Sequence, residues 1–188
     1  MDATTAGYRS CAQMFYHDTS LEVAPRLRIR VAGEGCYRYM FNGCPSLRNV
    51  PEIDLKTPGV SCCYQMFYNC TSLVTVPDLN VTSLSDSCFD NMFRGCTSLI
   101  KIARVPEDIM RTYVPPYCFR SMYHTCSSLN EVQPLPATTV STGSYEFMYN
   151  NCTSLTKIPA LPALDLSATE ECYHSLFKGC TSLKFSTT

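Results

Sequence analysis

The chain has 188 residues, 45% of them hydrophobic, with 15 basic against 16 acidic side chains and a formal net charge of −1. That length suits one domain, and the balanced charge supplies no global basic field to steer the protein onto nucleic acid or an anionic membrane, which argues against direct nucleic-acid binding. No apolar run reaches the roughly 18 residues of a membrane span, and the opening "MDATTAGYRS" lacks the basic-then-apolar pattern of a secretory signal.

From its N-terminus onward the chain repeats one phrase. Aligned on Ser-Leu, the copies are anchored at Leu21, Leu47, Leu73, Leu99, Leu129, Leu155 and Leu183, in steps of 26, 26, 26, 30, 26 and 28 residues. Seven positions before each leucine stands Met14, Met40, Met66, Met92, Met122, Met148 or Leu176, followed by Phe15, Phe41, Phe67, Phe93, Tyr123, Tyr149 or Phe177. The first element of a copy, as in Cys36-Tyr37-x-x-Met40-Phe41-x-x-Cys44, has apolar residues at 0, 1, 4, 5 and 8. That spacing predicts one or two turns of helix, closed by a left-handed residue at Gly43, Asn69, Gly95, Asn151 or Gly179. The second element, Leu-x-x-Val/Ile-Pro-x-Leu, predicts a strand kept short or bent by Pro51, Pro77 and Pro159, which cannot donate to a ladder. The extra residues of the fourth and sixth copies fall after this strand, as insertions into a surface loop do.

Such a unit cannot bury its own apolar face, but stacked copies can, each strand about 4.7–4.9 Å from the next. The expected fold is an α/β repeat solenoid. It is a single domain over residues 1–188, with about seven 26-residue repeats wound right-handed. A short parallel strand ladder and short helical turns form its sides, and its period lies in the leucine-rich-repeat range.

Thirteen cysteines, an odd number, cannot all pair within the chain. Cys36, Cys62, Cys88, Cys118 and Cys172 open the helical phrase, and Cys44, Cys70, Cys96, Cys126, Cys152 and Cys180 precede the strand. Eight residues of helix separate the two positions by about 12 Å, beyond disulfide reach. A metal site needs convergent ligands, whereas a ladder spreads them along a line; no metal or cofactor is expected. The second set reads as a structural ladder of small hydrophobes with weak S–H donors. Bridging between copies and metal binding are the alternatives.

His17, His124 and His174 lie at polar repeat positions. Cys126 stands two residues from His124, which suggests a thiol hydrolase. Its position is shared by five other copies, however, and no catalytic constellation surrounds it. Asn69, Asn80 and Asn151 stand in glycosylation sequons, two of them at turn positions. Side chains following the leucine vary freely on a constant frame, as binding residues on a rigid scaffold do. The partner-binding candidates are Arg26, Arg28, Arg48, Glu52, Asp78, Lys101, Arg104, Glu131 and Lys157, with a basic patch at Arg26, Arg28, Arg30 and Arg48.

The phrase "CTSLTKIPALP" at 152–162, preceded by Cys-Tyr/Phe-x-x-Met-Phe, resembles the BspA-like class of leucine-rich repeats, over about residues 8–185. The resemblance implies a non-enzymatic protein-protein interaction module, a surface or adhesion-type repeat protein of a gut-associated bacterium or phage, with a protein partner. The alternative is an intracellular inhibitor, encoded by a phage or mobile element, that binds a host protein or nucleoprotein. A full-length chain implies the cytoplasm, and one excised from a longer secreted protein implies the cell surface. No membrane insertion is expected. The chain opens on half a repeat and lacks a distinct cap, which leaves end-to-end self-association open.

Overall fold

The Cys-Tyr/Phe-x-x-Met-Phe-x-x-Cys phrases follow a four-residue rhythm. The computed structural model describes residues 4–161 and 170–184. In it Gly35, Tyr39 and Gly43 have φ of 60°, 58° and 72°, and the spacing recurs at Ser61, Gln65 and Asn69 and at Ser87, Asn91 and Gly95. Behind each left-handed residue two side chains turn inward. Cys36 and Tyr37, then Met40 and Phe41, then Cys44 are buried, whereas Arg38 and Tyr39 face outward, half-buried.

This corrects the expectation of helical turns, and the hydrogen bonds give the reason. Cys36, Arg38, Met40, Asn42 and Cys44 donate their N–H groups to carbonyls three residues back, in overlapping tight turns. Alternate turns hold the left-handed residue at their third position, where a type II turn takes it. The intervening N–H groups of Tyr37, Tyr39, Phe41 and Gly43 cross to the carbonyls of Cys62, Tyr64, Met66 and Tyr68 at 2.8–3.0 Å. Half of the donors thus shape one copy and half bind it to the next, and an α-helix would have used all of them internally. Among the described residues the α-helix is α1 (Glu107–Thr112). It occupies the extension of the fourth copy, with Glu107 and Asp108 in its first turn and Arg111 in its last, as the helix dipole favours. The two-residue extension of the sixth copy falls on a stretch that includes 162–169, outside the described residues.

Parallel pairing links consecutive copies, but not where the sequence places the strands. Strands β1 (Thr5–Ala6), β2 (Val31–Ala32) and β3 (Thr57–Pro58) form one sheet in steps of one copy, Thr5 to Val31 to Thr57. β4 (Tyr113–Val114) pairs with β5 (Thr139–Val140) in the same way. These lie just ahead of the turn phrase. Among the described residues the expected Leu-x-x-Val/Ile-Pro-x-Leu strand contributes single bridges, Val23 to Asn49 to Thr75 and Leu27 to Ile53. The proline column of Pro51 and Pro77 interrupts the donors there.

Two files of side chains run through the core across the copies. Phe15, Phe41, Phe67, Phe93, Tyr123, Tyr149 and Phe177 stack with centroids 5.2–5.6 Å apart and planes within 8°. The choice of Phe or Tyr in this file follows the residue four after the leucine of the preceding copy. Where that residue is Pro25, Pro51, Pro77 or Pro159, which has no N–H, the ring is Phe41, Phe67, Phe93 or Phe177. Where it is Ala103 or Gln133, the ring is Tyr123 or Tyr149. The Ala103 N–H donates to the Tyr123 hydroxyl, which donates back to the Ala103 carbonyl, both at 3.0 Å. The Gln133 N–H reaches the Tyr149 hydroxyl at 3.5 Å. A phenol appears where a buried backbone donor would otherwise lack a partner.

In the second file each thiol donates to the carbonyl of the preceding copy's aromatic residue: Cys44 to Phe15, Cys70 to Phe41, Cys96 to Phe67, Cys126 to Phe93, Cys152 to Tyr123 and Cys180 to Tyr149, at 3.0–3.1 Å. Burial pushes the thiols of Cys70, Cys96 and Cys126 well above their ordinary range. In the first copy Asp18 replaces the cysteine, and its carboxylate accepts from the Ser20 hydroxyl and from the N–H groups of Ser20 and Leu21, which hold its pKa down.

Three outcomes follow from this packing. Tyr123→Phe should cost about 1–2 kcal/mol in urea denaturation, by stranding the Ala103 N–H. Adding Ala103→Pro should restore most of that loss, as the other copies do, and purely additive costs would show that the two positions are not coupled. Gly95→Ala should lower stability by about 1–3 kcal/mol, because a Cβ there meets the Asn69 side chain at a left-handed φ of 79°. Ser87→Gly, at φ 54° in the same wall, should instead leave stability unchanged or raise it by up to about 1 kcal/mol. In pulsed alkylation read by mass spectrometry, half-buried Cys11 should label first. Cys70, Cys96 and Cys126 should label at least roughly a hundredfold more slowly, through global opening; rapid native labelling of these three would contradict their burial.

Candidate functional site

Two surfaces carry chemistry-bearing side chains that the core does not use. On the strand side, the sequence candidates Arg26, Arg28, Arg48, Asp78, Lys101, Arg104 and Lys157 are exposed, and Glu52 and Glu131 are half-buried beside them. The frame brings several together across copies: Arg26 lies 3.9 Å from Glu52 and Arg104 lies 3.5 Å from Glu131. Asp78 accepts the Arg104 N–H at 3.0 Å, and next to the basic patch Arg30 and Lys56 approach Asp54 at 3.7 and 3.4 Å. The parallel one-copy register causes the pairs between copies, since residues 24–27 positions apart land side by side, whereas Lys56 and Asp54 belong to one copy. Val23, Val31 and Val74 are exposed on the same side.

The second surface, the outer face of the turn wall, escaped the sequence reading. Treated as a helix, the phrase scatters its polar positions around a cylinder; the four-residue rhythm gathers them into columns. Gln13, Tyr39, Gln65, Asn91, Ser121 and Phe147 form one such column, all left-handed. Its signal was the spacing of Gly35 and Gly43, eight residues apart, at two of the positive-φ positions.

At the centre of this face Asp90, with a side chain 1% exposed, accepts two hydrogen bonds from the Arg120 guanidinium, at 2.6 and 3.2 Å, and one from the Asn91 amide. Burial pushes the Asp90 carboxyl up, against the pull of Arg120, and the carboxylate in turn raises the Arg120 pKa. Arg120 also lies over the Tyr117 ring, and Arg38 lies over Tyr39 and Tyr64 at 5.0 and 4.5 Å. Two grooves flank these contacts. One, of about 550 Å³, is lined by Tyr16, Tyr39, Asn42, Gln65, Tyr68 and Asn69, among others, and the next, of about 430 Å³, includes Asn91, Arg120, His124, Glu146 and Phe147.

Catalysis and metal binding find limited material. Cys126, the sequence's suggestion for a nucleophile, is buried, donates to the Phe93 carbonyl and has a raised pKa. A thiolate is the reactive form. His124 packs against Phe147, and burial lowers its pKa. Cys88 and Cys118 sulfurs lie 3.6 Å apart without a bond, and the Cys36 thiol is pushed up to about 12 by burial. Among the described residues Glu146, Glu171 and His174 form a group whose ligand atoms lie within 4.8 Å of one another. The His174 imidazole Nδ1 stands 3.7 Å from an oxygen of each carboxylate. Glu146 is pushed up, first by burial and then by Glu171.

No helix among the described residues is long and apolar enough to cross a membrane. No curated protein matches the chain. A leucine-rich repeat protein from Bacteroides ovatus, solved by crystallography, is similar at 18% identity over 92% of this chain and 74% of that one, with a TM-score of 0.25. The family described as BspA type leucine rich repeat region (6 copies) matches residues 92–187, more than half of the sequence. With the repeated Cys-x-x-Leu phrase and the copy-to-copy parallel register, that match establishes that the chain belongs to the BspA-type leucine-rich repeat family.

Proposed function

We propose that this chain is a non-enzymatic protein-binding module, one right-handed solenoid domain of seven copies, of the surface or adhesion type found in gut-associated bacteria and their phages. Membership in a family of interaction-type, surface-type repeats supports the general class. The single observation that carries the reading is a division of labour between positions. Residues that recur from copy to copy are buried in the inner copies, as with Leu47, Leu73, Leu99 and Leu129, while the first copy leaves Met14 exposed. The positions that differ, from Arg26 and Arg48 to Lys101, Arg104 and Lys157, are exposed on the strand side. With Glu52, Asp78 and Glu131 they make a face of interleaved charge suited to a protein of complementary pattern. Pairs such as Arg26 with Glu52 are solvent-exposed and of small individual worth, so they exchange readily for pairs with a partner.

A second reading, an intracellular inhibitor encoded by a mobile element, is favoured by the unbridged thiols of Cys36, Cys44, Cys62, Cys70 and Cys96, which suit a reducing compartment. The native start site and genomic neighbourhood separate the two. The strand face itself is tested with the Arg26→Glu/Arg104→Glu variant. Its stability should stay within about 1 kcal/mol of the parent, while affinity for captured partners falls about tenfold or more, the equivalent of 1.4 kcal/mol. Equal capture by both proteins would remove this face from consideration.

A further inference from the structure

The groove at Tyr16, Tyr39, Gln65 and Tyr68 has binding capacity that neither the fold nor the strand face uses. We propose that it is a subsite for a neutral linear oligosaccharide lying along the stacking direction.

Three observations carry this. First, the lining is that of a sugar site: aromatic rings, primary amides and phenolic hydroxyls, with no carboxylate among its residues; Arg94 lies over the Tyr68 ring at 5.8 Å and His17 tilts against Tyr16 at 4.3 Å. Tyrosine rings offer flat apolar faces to the C–H side of a pyranose. Amides offer a donor and an acceptor together, which matches vicinal hydroxyls. Second, the polar groups are divided between frame and groove. Asn42 donates to Gln65 and Gln65 donates to the Tyr64 hydroxyl, which fixes the floor. No hydrogen bond within the described residues engages the side chains of Gln13, Tyr16, Tyr68 or Asn69, and these stand around that floor. In the adjoining groove, by contrast, Asp90, Asn91 and Arg120 satisfy one another. Third, the lining repeats with the copies. Gln13, Tyr39 and Gln65 stand in one column and Tyr16, Asn42 and Tyr68 in another, and the core rings of these copies stack 5.2 Å apart. That step is close to the advance of one β1→4-linked hexose along its chain, so successive sugar units meet equivalent repeat positions, at which amide and tyrosine alternate. Tyr16, Tyr39 and Tyr64 meet edge to face, with centroids 6.3 and 5.4 Å apart, and hold the ring faces at an angle to one another.

The test uses the whole chain and a panel of tetrasaccharides: cellotetraose, chitotetraose, mannotetraose and xylotetraose, each at about 1–5 mM because a lone subsite binds weakly. Titration is followed by calorimetry and by the ring and side-chain amide resonances in NMR. We expect at least one of the four to bind, with shifts confined to Gln13, Tyr16, Tyr39, Gln65 and Tyr68. The affinity should be insensitive to salt and should fall at least roughly tenfold in Tyr68→Ala and in Gln13→Ala, whose outward side chains leave the core intact. Absence of binding to all four overturns the proposal, as does binding that both variants retain. If the two variants instead lose capture of the protein partner and bind no sugar, the groove belongs to protein recognition and the proposal fails, while the Arg26/Arg104 reading is judged separately by its own variant.

Discussion

The alternation of backbone donors in the turn wall is the constraint on which the rest depends. A copy of about 26 residues has too few apolar side chains to hold a shape alone. Its backbone answers by sending one N–H in two to its own copy and the next to the neighbouring copy, as from Met40 to Tyr37 and from Phe41 to Met66. Neither set suffices without the other, because a buried donor left open costs about 1–3 kcal/mol. The arrangement requires a left-handed residue every fourth position, even where the side chain is Tyr39, Tyr117 or Phe147. Such residues are unfavourable by about 1–2 kcal/mol each, and the bonds to adjacent copies offset that strain.

Side chains then complete what the backbone begins. The aromatic file, the thiol file and the proline column meet around the same carbonyls and donors. The Phe67 carbonyl accepts both the Cys70 N–H of its own copy and the Cys96 thiol of the next. Cysteine suits this place as a small, largely apolar side chain that still donates, whereas an alkyl group would leave the second lone pair unused. The exchange of Phe for Tyr where Pro gives way to Ala103 or Gln133 shows the same bookkeeping one step further along the core.

The two outer surfaces are consequences of this interior. With most recurring residues taken up by packing, and core variation limited to paired exchanges such as Tyr123 with Ala103, the larger variation falls on side chains beyond the frame. On the strand side these are charges paired across copies; on the turn wall they are rings, amides and the Asp90–Arg120 pair. The first sets opposite charges side by side, and the second offers two grooves, one lined mainly by rings and amides and the next holding Arg94, Arg120 and Glu146. One rigid interior thus supports two chemically different faces, each alterable without disturbing the other.

Much of the interior was legible in the chain itself. The leucine, methionine, aromatic and cysteine positions are set by the repeat, and their shared period requires that equivalent residues lie side by side. The Phe/Tyr exchange opposite Pro51, Ala103 and Gln133 was also present in the letters, though its meaning needed the hydrogen bonds. The local conformation was not legible. Apolar residues at 36, 37, 40, 41 and 44 fit a 3.6-residue period and a four-residue period alike, and only the partners of the N–H groups choose between them. Those partners lie in the next copy, about 26 residues away, beyond the range of any local pattern. For the same reason the outer grooves were invisible from the sequence: which side chains share a column is decided by the stacking of neighbours, not by the order of residues within one copy.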